Sequence, residues 1–156
     1  MRQATLLFLM EQDKILLAMK KRGFGAGHWN GVGGKPEAGE TIEQTAVREC
    51  QEEIGVTPKA LRHVATLDFY FPGEKSDWNQ QVQVYTCTEW EGEPVETEEM
   101  APKWFDKTEI PYDSMWPDDE LWLPGVLGGK FVTAQFYFSA DKQIEKYDVK
   151  TSDLVS

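Results

Sequence analysis

The sequence predicts an α/β fold, a mixed β-sheet with helices packed on it. Two observations predict it. Six stretches have the length and apolar pattern of strands, and two helical segments are interspersed among them rather than gathered at one end.

In chain order, ATLLFLM (4–10) and ILLAMK (15–20) are apolar runs of strand length joined by a polar turn at 11–14. A glycine-rich loop follows at 22–34. LRHVATLDFYF (61–71) and QVQVYTCTEW (81–90) alternate with the two-residue period of a strand, and KWF (103–105) reads as a short one. PDDELWL (117–123) opens like a helix, with Pro117 first and acids in the first turn. KFVTAQFYF (130–138) is a late strand, and the residues from 150 onward are expected to fray.

The first helix is bounded by local signals. Thr41 with Gln44 three residues later makes a capping box, which predicts a start at Ile42. Gly55 supplies a left-handed stop after Ile54. Ile42, Ala46, Cys50 and Ile54 recur every four residues as an apolar stripe that can pack on a sheet. Glu49, Glu52 and Glu53 then meet on one flank of that stripe, at a cost of about a few tenths of a kcal/mol per like-charged pair. A divalent cation reverses that sign. Hard oxygen donors at this spacing suit Mg²⁺ or Mn²⁺, which keep some waters and accept phosphate oxygens. A solvated acidic face is the ordinary alternative. Gly33 and Gly34 before the helix, and Gly39 at the turn into it, weigh toward a site. Arg48, four residues before Glu52, is placed to orient or partly neutralise the carboxylates.

Composition bounds the rest. A chain of 156 residues suits one domain, 1–156, with a real core. A formal charge of −11 argues against binding a nucleic-acid backbone, though an anionic small substrate is open to it if a cation helps. Two cysteines, Cys50 and Cys87, give no disulfide framework, so a reducing, cytoplasmic setting is expected. The apolar run before Glu11 is too short for a signal segment or a membrane span, and no membrane partner is expected. A monomer is expected.

One stretch carries a resemblance. Gly34, then Glu40 after five residues, then Arg48-Glu49-Cys50-Gln51-Glu52-Glu53-Ile54-Gly55-Val56 after seven more, resembles the Nudix box of nucleoside-diphosphate-linked hydrolases. Cys50 fills a bulky aliphatic position of that box as a small hydrophobe. The resemblance implies an α/β/α sandwich, a divalent metal on Glu49, Glu52 and Glu53 with Gly33 and Glu99 beside it, and attack of water on a pyrophosphate linkage. It implies Glu53 as general base, with Glu99 second and Arg48 in the same machinery.

The segments 19–35, 94–105 and 115–122 are similar to the oxidised purine nucleoside triphosphatase branch, which acts on 8-oxo-dGTP and 2-hydroxy-dATP. That similarity implies Thr5 and Lys20 at the nucleoside, with Val32, Gly33, Gly34 and Pro117 also on the nucleotide. The residues themselves suit the role. Asn30 offers a donor and an acceptor to a purine edge, or else serves a turn. Asp118 and Asp119, desolvated together, would share a proton and present a donor beside an acceptor; alternatively WPDD is only a helix start. Trp116 and Phe24 offer stacking faces, as do Phe69 and Phe71 unless they are simply core. Lys20 and Lys35 are cations for an anionic ligand. His28 stands where the animal enzymes suggest arginine, residues 72–81 run about two longer than their counterpart, and Gln80 falls near the position of a pocket methionine. The function implied is a metal-dependent pyrophosphohydrolase of oxidised purine nucleotides. Hydrolysis of a dinucleoside polyphosphate or ADP-sugar, and nucleotide sensing without turnover, are the alternatives.

Overall fold

The computed structural model describes residues 1–23 and 25–154. β1 (Arg2–Glu11) and β2 (Lys14–Lys20) form a hairpin, followed by β3 (Trp29–Asn30), α1 (Ile42–Ile54), β4 (Thr57–Pro58), β5 (Arg62–Tyr70), β6 (Gln80–Cys87), β7 (Trp90–Glu91), β8 (Met100–Asp106), α2 (Asp119–Leu127), β9 (Lys130–Phe138) and β10 (Ile144–Asp153). The main sheet runs β10-β9-β5-β6-β1-β2-β3, with β8 also paired to β2; β4 and β7 make a small separate ribbon. β1 lies parallel to β6 and β5 parallel to β9, while the other pairs are antiparallel, so the sheet is mixed as the sequence predicts.

The central strands are apolar throughout because both of their faces are covered. On β1 and β2, Phe8, Met10, Ile15 and Leu17 join the cluster that holds Trp122, Leu123 and Val126 of α2. The alternate residues Leu7, Leu9, Leu16 and Ala18 join the cluster that holds Ala46, Cys50 and Ile54 of α1. The two helices therefore sit on opposite faces, giving the α/β/α layering. Among the described residues no helix is long and apolar enough to cross a membrane.

α1 has the predicted ends. Gln44 N–H donates to the Thr41 hydroxyl at 3.2 Å, and Thr41 N–H donates to Gln44 Oε1 at 2.9 Å. Gly55 takes a left-handed φ of 73°. Ala46, Cys50 and Ile54 are fully buried, whereas Ile42 is only half-buried at the helix entrance.

Three expectations need correction. α2 begins at Asp119, with Pro117 outside it, because the Asp119 carboxylate turns back to accept from Trp116 N–H and closes the turn ahead of the helix. The short strand at 103–105 is the middle of β8, whose whole length pairs with β2. Residues 150–153 do not fray; they finish β10, an edge strand paired to β9 through Asp153. Charges alternating along an exposed edge left no apolar period to read.

Candidate active site

The loop between β3 and α1 is laid against β1. Leu7 and Val32 exchange backbone hydrogen bonds at 2.6 and 3.0 Å, and Thr5 N–H donates to the Gly34 carbonyl at 2.8 Å. The approach is so close that a Cβ on Gly33 would stand 1.8 Å from the Thr5 carbonyl oxygen, and one on Gly34 would stand 2.5 Å from the Glu49 carboxyl carbon. Glycine at these two positions is therefore what lets the loop meet both the strand and the helix.

Gly33 N–H donates to Glu53 Oε1 at 3.0 Å. Glu53 lies on the buried side of α1, only 3% exposed. Burial, with the nearby Glu49 and Glu99 carboxylates, pushes its pKa up to about 8 against the opposing pull of the Gly33 N–H. Glu49 lies within hydrogen-bond reach of Glu53, half-buried, and Glu52 is exposed on the outer flank. Glu99 comes from the segment before β8.

Arg48 gathers this flank. Its Nε donates to Glu40 Oε2 at 2.7 Å, its Nη1 to Glu49 at 2.8 Å and to Glu52 at 3.2 Å, and its Nη2 to the Lys35 carbonyl at 3.0 Å. With help from the Thr45 hydroxyl and the Glu37 N–H, Arg48 holds Glu40 down to about 2. Glu40 is thus an anchor for Arg48. The sequence showed it only as a motif position, though its fixed spacing to Arg48 was the available signal.

Among the described residues, no three acidic, cysteine or histidine side chains already converge on one point. Arg48 draws Glu49 and Glu52 outward, and Gly33 turns an N–H rather than a lone pair toward Glu53. The donor set still fits a hard divalent cation in kind. It consists of carboxylate oxygens, and crowding among them is one of the forces that raise Glu53.

Gly33 also borders a pocket of about 300 Å³ on the α2 side of the sheet. Thr5, Lys20, Asn30, Gly34, Lys35, Phe69, Phe71, Trp116, Asp118 and Asp119, all expected on the substrate, line it. Asp118 and Asp119 do so although they are 5% and 2% exposed. Trp122 Nε1 donates to Asp118 Oδ2 at 2.9 Å, and Trp116 N–H donates to Asp119 Oδ2 at 3.1 Å. Burial pushes Asp118 up to about 6, and burial with the neighbouring Asp118 pushes Asp119 well above the carboxylate range. Burial thus favours a proton shared between the two carboxyls, an arrangement that would set a donor beside an acceptor. Asn30 Oδ1 accepts from Gly31 N–H at 2.9 Å.

Some predicted residues stand elsewhere. Val32 is 3% exposed with its side chain in the α1-side core, because β1 claims its backbone; only that backbone helps shape the loop. Pro117 is exposed and borders a neighbouring depression instead. Arg48 is absent from the pocket wall and acts on carboxylates, as a positioning group. Phe24 lies outside the described residues. Phe69 is both core and pocket wall, its ring near-parallel to those of Phe136 and Phe138 at 5.5 and 6.0 Å.

Other wall residues were not predicted as ligand contacts. His28 stacks on Trp116 with centroids 4.5 Å apart and planes 7° from parallel. Trp122 had a signal, four residues after Asp118, which precedes the helix that carries Trp122. Trp78, Phe138 and Lys142 reach the wall from the 3₁₀ turn Gly73–Trp78, from the end of β9 and from the β9–β10 turn. Trp78 falls in the 72–81 segment whose Gln80 the resemblance sets near a pocket methionine, while nothing local in the sequence marks Phe138 or Lys142.

A family model for the NUDIX domain matches residues 1–126. The oxidized purine nucleoside triphosphate hydrolase of Danio rerio is 44% identical over 143 residues, covering 92% of this chain and 90% of that protein. Its namesake from Mus musculus is 41% identical over 149 residues, covering 96% and 94%. Among solved structures, the mutator MutT protein of Bacillus halodurans superposes with a TM-score of 0.84 at 27% identity, covering 96% of this chain and 98% of that one.

Proposed function

The chain belongs to the NUDIX family, and from that premise we propose that it hydrolyses oxidised purine (deoxy)nucleoside triphosphates to the monophosphate and pyrophosphate. 8-oxo-dGTP and 2-hydroxy-dATP are the proposed substrates, and cleansing of the nucleotide pool is the proposed role. The relatives from Danio rerio and Mus musculus are named oxidized purine nucleoside triphosphate hydrolases and match this chain over nearly its full length.

The observation that carries the reading is the buried Asp118–Asp119 pair on the wall of a pocket that is also lined by Gly33, whose N–H donates to Glu53. A purine edge changes its pattern of hydrogens on oxidation. Two carboxyls sharing one proton match either pattern by exchanging donor and acceptor roles. Trp116 and Phe69 supply aromatic faces for the base. Lys20 and Lys35 offset phosphate charge along the wall in an otherwise acidic protein. Glu53 is the proposed group that takes the proton of the attacking water, with Glu99 second. Arg48 keeps Glu49 and Glu52 in place. A divalent ion on these carboxylates, Mg²⁺ with Mn²⁺ as substitute, supplies charge neutralisation and a more acidic water. The protein is proposed to work as a cytoplasmic monomer, without a nucleic-acid or membrane partner.

The test is a panel of nucleotides incubated with Mg²⁺ and assayed for pyrophosphate. Higher kcat/KM for 8-oxo-dGTP and 2-hydroxy-dATP than for dGTP is expected. Preference for ADP-ribose or a dinucleoside polyphosphate over every purine triphosphate would overturn the substrate, and no turnover of any nucleotide would overturn the activity.

A further inference from the structure

The last turn of a helix leaves carbonyls without partners inside the helix. At the end of α1 two of them are met by one segment. Val95 N–H donates to the Ile54 carbonyl at 3.0 Å, and the Thr97 hydroxyl donates to the Glu53 carbonyl at 2.9 Å. The same hydroxyl accepts from Glu99 N–H at 3.3 Å and from Met100 N–H at 3.2 Å. A hydroxyl has one hydrogen and two lone pairs, and Thr97 uses all three. One oxygen atom thus joins the peptide that carries Glu53 to the peptide that carries Glu99.

The segment is held from its other side as well. Lys21 N–H donates to the Glu99 carbonyl at 2.9 Å. The Lys21 side chain pairs with Glu96, and Arg22 pairs with Glu98 at 3.6 Å. Those pairs are solvent-exposed and hold the segment weakly. The tie to α1 runs through the Val95 backbone and the half-buried Thr97. The Thr97 hydroxyl bonds both to the peptide of Glu53 and to that of Glu99, and Glu99 is near enough for its charge to act on the Glu53 carboxyl.

We propose that Thr97 is a positioning residue for the acidic centre. Its hydroxyl sets the separation of Glu99 from Glu53 and so decides how well the two carboxylates share one divalent cation. This rests on the metal-dependent reading above. Groups that orient carboxylates around a metal cost roughly 10–100-fold in affinity or activity when removed.

Mn²⁺ alone is the probe, its binding followed by electron paramagnetic resonance in the full chain, beside kcat and KM for 8-oxo-dGTP. T97V, which keeps the shape and loses the hydroxyl, is expected to bind Mn²⁺ about tenfold or more weakly. Its kcat should fall while the nucleotide KM holds, and T97S should restore both. If the hydroxyl acts through Glu99, T97V/E99Q binds Mn²⁺ no more weakly than E99Q alone. Should T97V not fold by circular dichroism, T97A carries the same comparison. Parent-like Mn²⁺ affinity in the variant, or additive losses in the double variant, overturns the proposal and leaves Thr97 as a structural clasp. A parent that binds no Mn²⁺ overturns it too. A parent that binds Mn²⁺ but hydrolyses no nucleotide refutes the proposed activity alone, and the Mn²⁺ comparison still decides on Thr97.

Discussion

Asp118 and Asp119 carry charge logic that conflicts with burial. A carboxyl with a folded pKa above its unfolded 3.8 favours the folded state when protonated. That stability is complete below 3.8 and is lost as the pH rises through about 6. For Asp118 the step from 3.8 to about 6 corresponds to about 3 kcal/mol at most. Asp118→Asn, whose amide oxygen can still accept from Trp122, is therefore expected to raise the melting temperature at pH 7.5 and to do so much less at pH 4.5. An equal rise at both values would show that titration is not the cause. Asp119→Asn tests function instead. It cannot exchange donor and acceptor roles, so kcat/KM for 8-oxo-dGTP, 2-hydroxy-dATP and dGTP should converge; unaltered ratios would mean that the pair does not read the base. Glu53→Gln should keep the fold and lower turnover at least about a hundredfold. Near-normal turnover would remove Glu53 from the machinery. The identities of these groups were legible because Glu49, Glu52 and Glu53 share one helix and the two aspartates are adjacent. Their environments were not. Glu53 is perturbed by Gly33 and Glu99, twenty and forty-six residues away along the chain.

At the scale of elements, legibility followed the range of the signal. α1 could be bounded to the residue because its capping box and Gly55 act within four residues. β1, β2 and β6 could be found because burial on the sheet writes an apolar pattern into them. β10 could not, since pairing with β9 is done by backbone groups and its side chains are mostly exposed. The turn Gly73–Trp78 was equally opaque. It is pinned by Asn79, whose side-chain oxygen accepts from Phe71 N–H at 2.7 Å and whose N–H donates to the Ser76 carbonyl at 3.0 Å. That brings Trp78 edge-on to Phe71 at 6.2 Å, with Phe71 stacked on Phe138 at 5.3 Å. These rings extend the wall of the pocket outward from Phe69. Because an aromatic wall contacts ground state and transition state alike, Trp78→Ala should raise KM for purine triphosphates several-fold and leave kcat alone. A fall in kcat with KM unchanged would instead tie this turn to the chemistry.

Over the whole molecule the decisive quantity is charge. A formal −11 repels a polyanion, so fluorescence anisotropy at physiological salt should detect no binding of duplex DNA. A triphosphate meets the same field, and the lysines on the pocket wall offset it only locally. The acidic centre adds to the problem, because one guanidinium, Arg48, serves Glu40, Glu49 and Glu52 while Glu53 lies buried beside them. Crowded carboxylates repel one another, and a cation bound among them would relieve that repulsion. An ion that binds only the folded chain stabilises it by about 2.7 kcal/mol at a hundredfold excess over Kd. For a chain of this size that corresponds to roughly 5–10 °C in melting temperature. MgCl₂ added to EDTA-treated protein is therefore expected to raise the melting temperature well beyond what NaCl does at equal ionic strength. Screening by sodium acts on every surface charge, whereas the magnesium effect should saturate and should shrink in Glu53→Gln. Equal shifts with the two salts, or an undiminished shift in that variant, would show that the glutamates of α1 do not hold the ion.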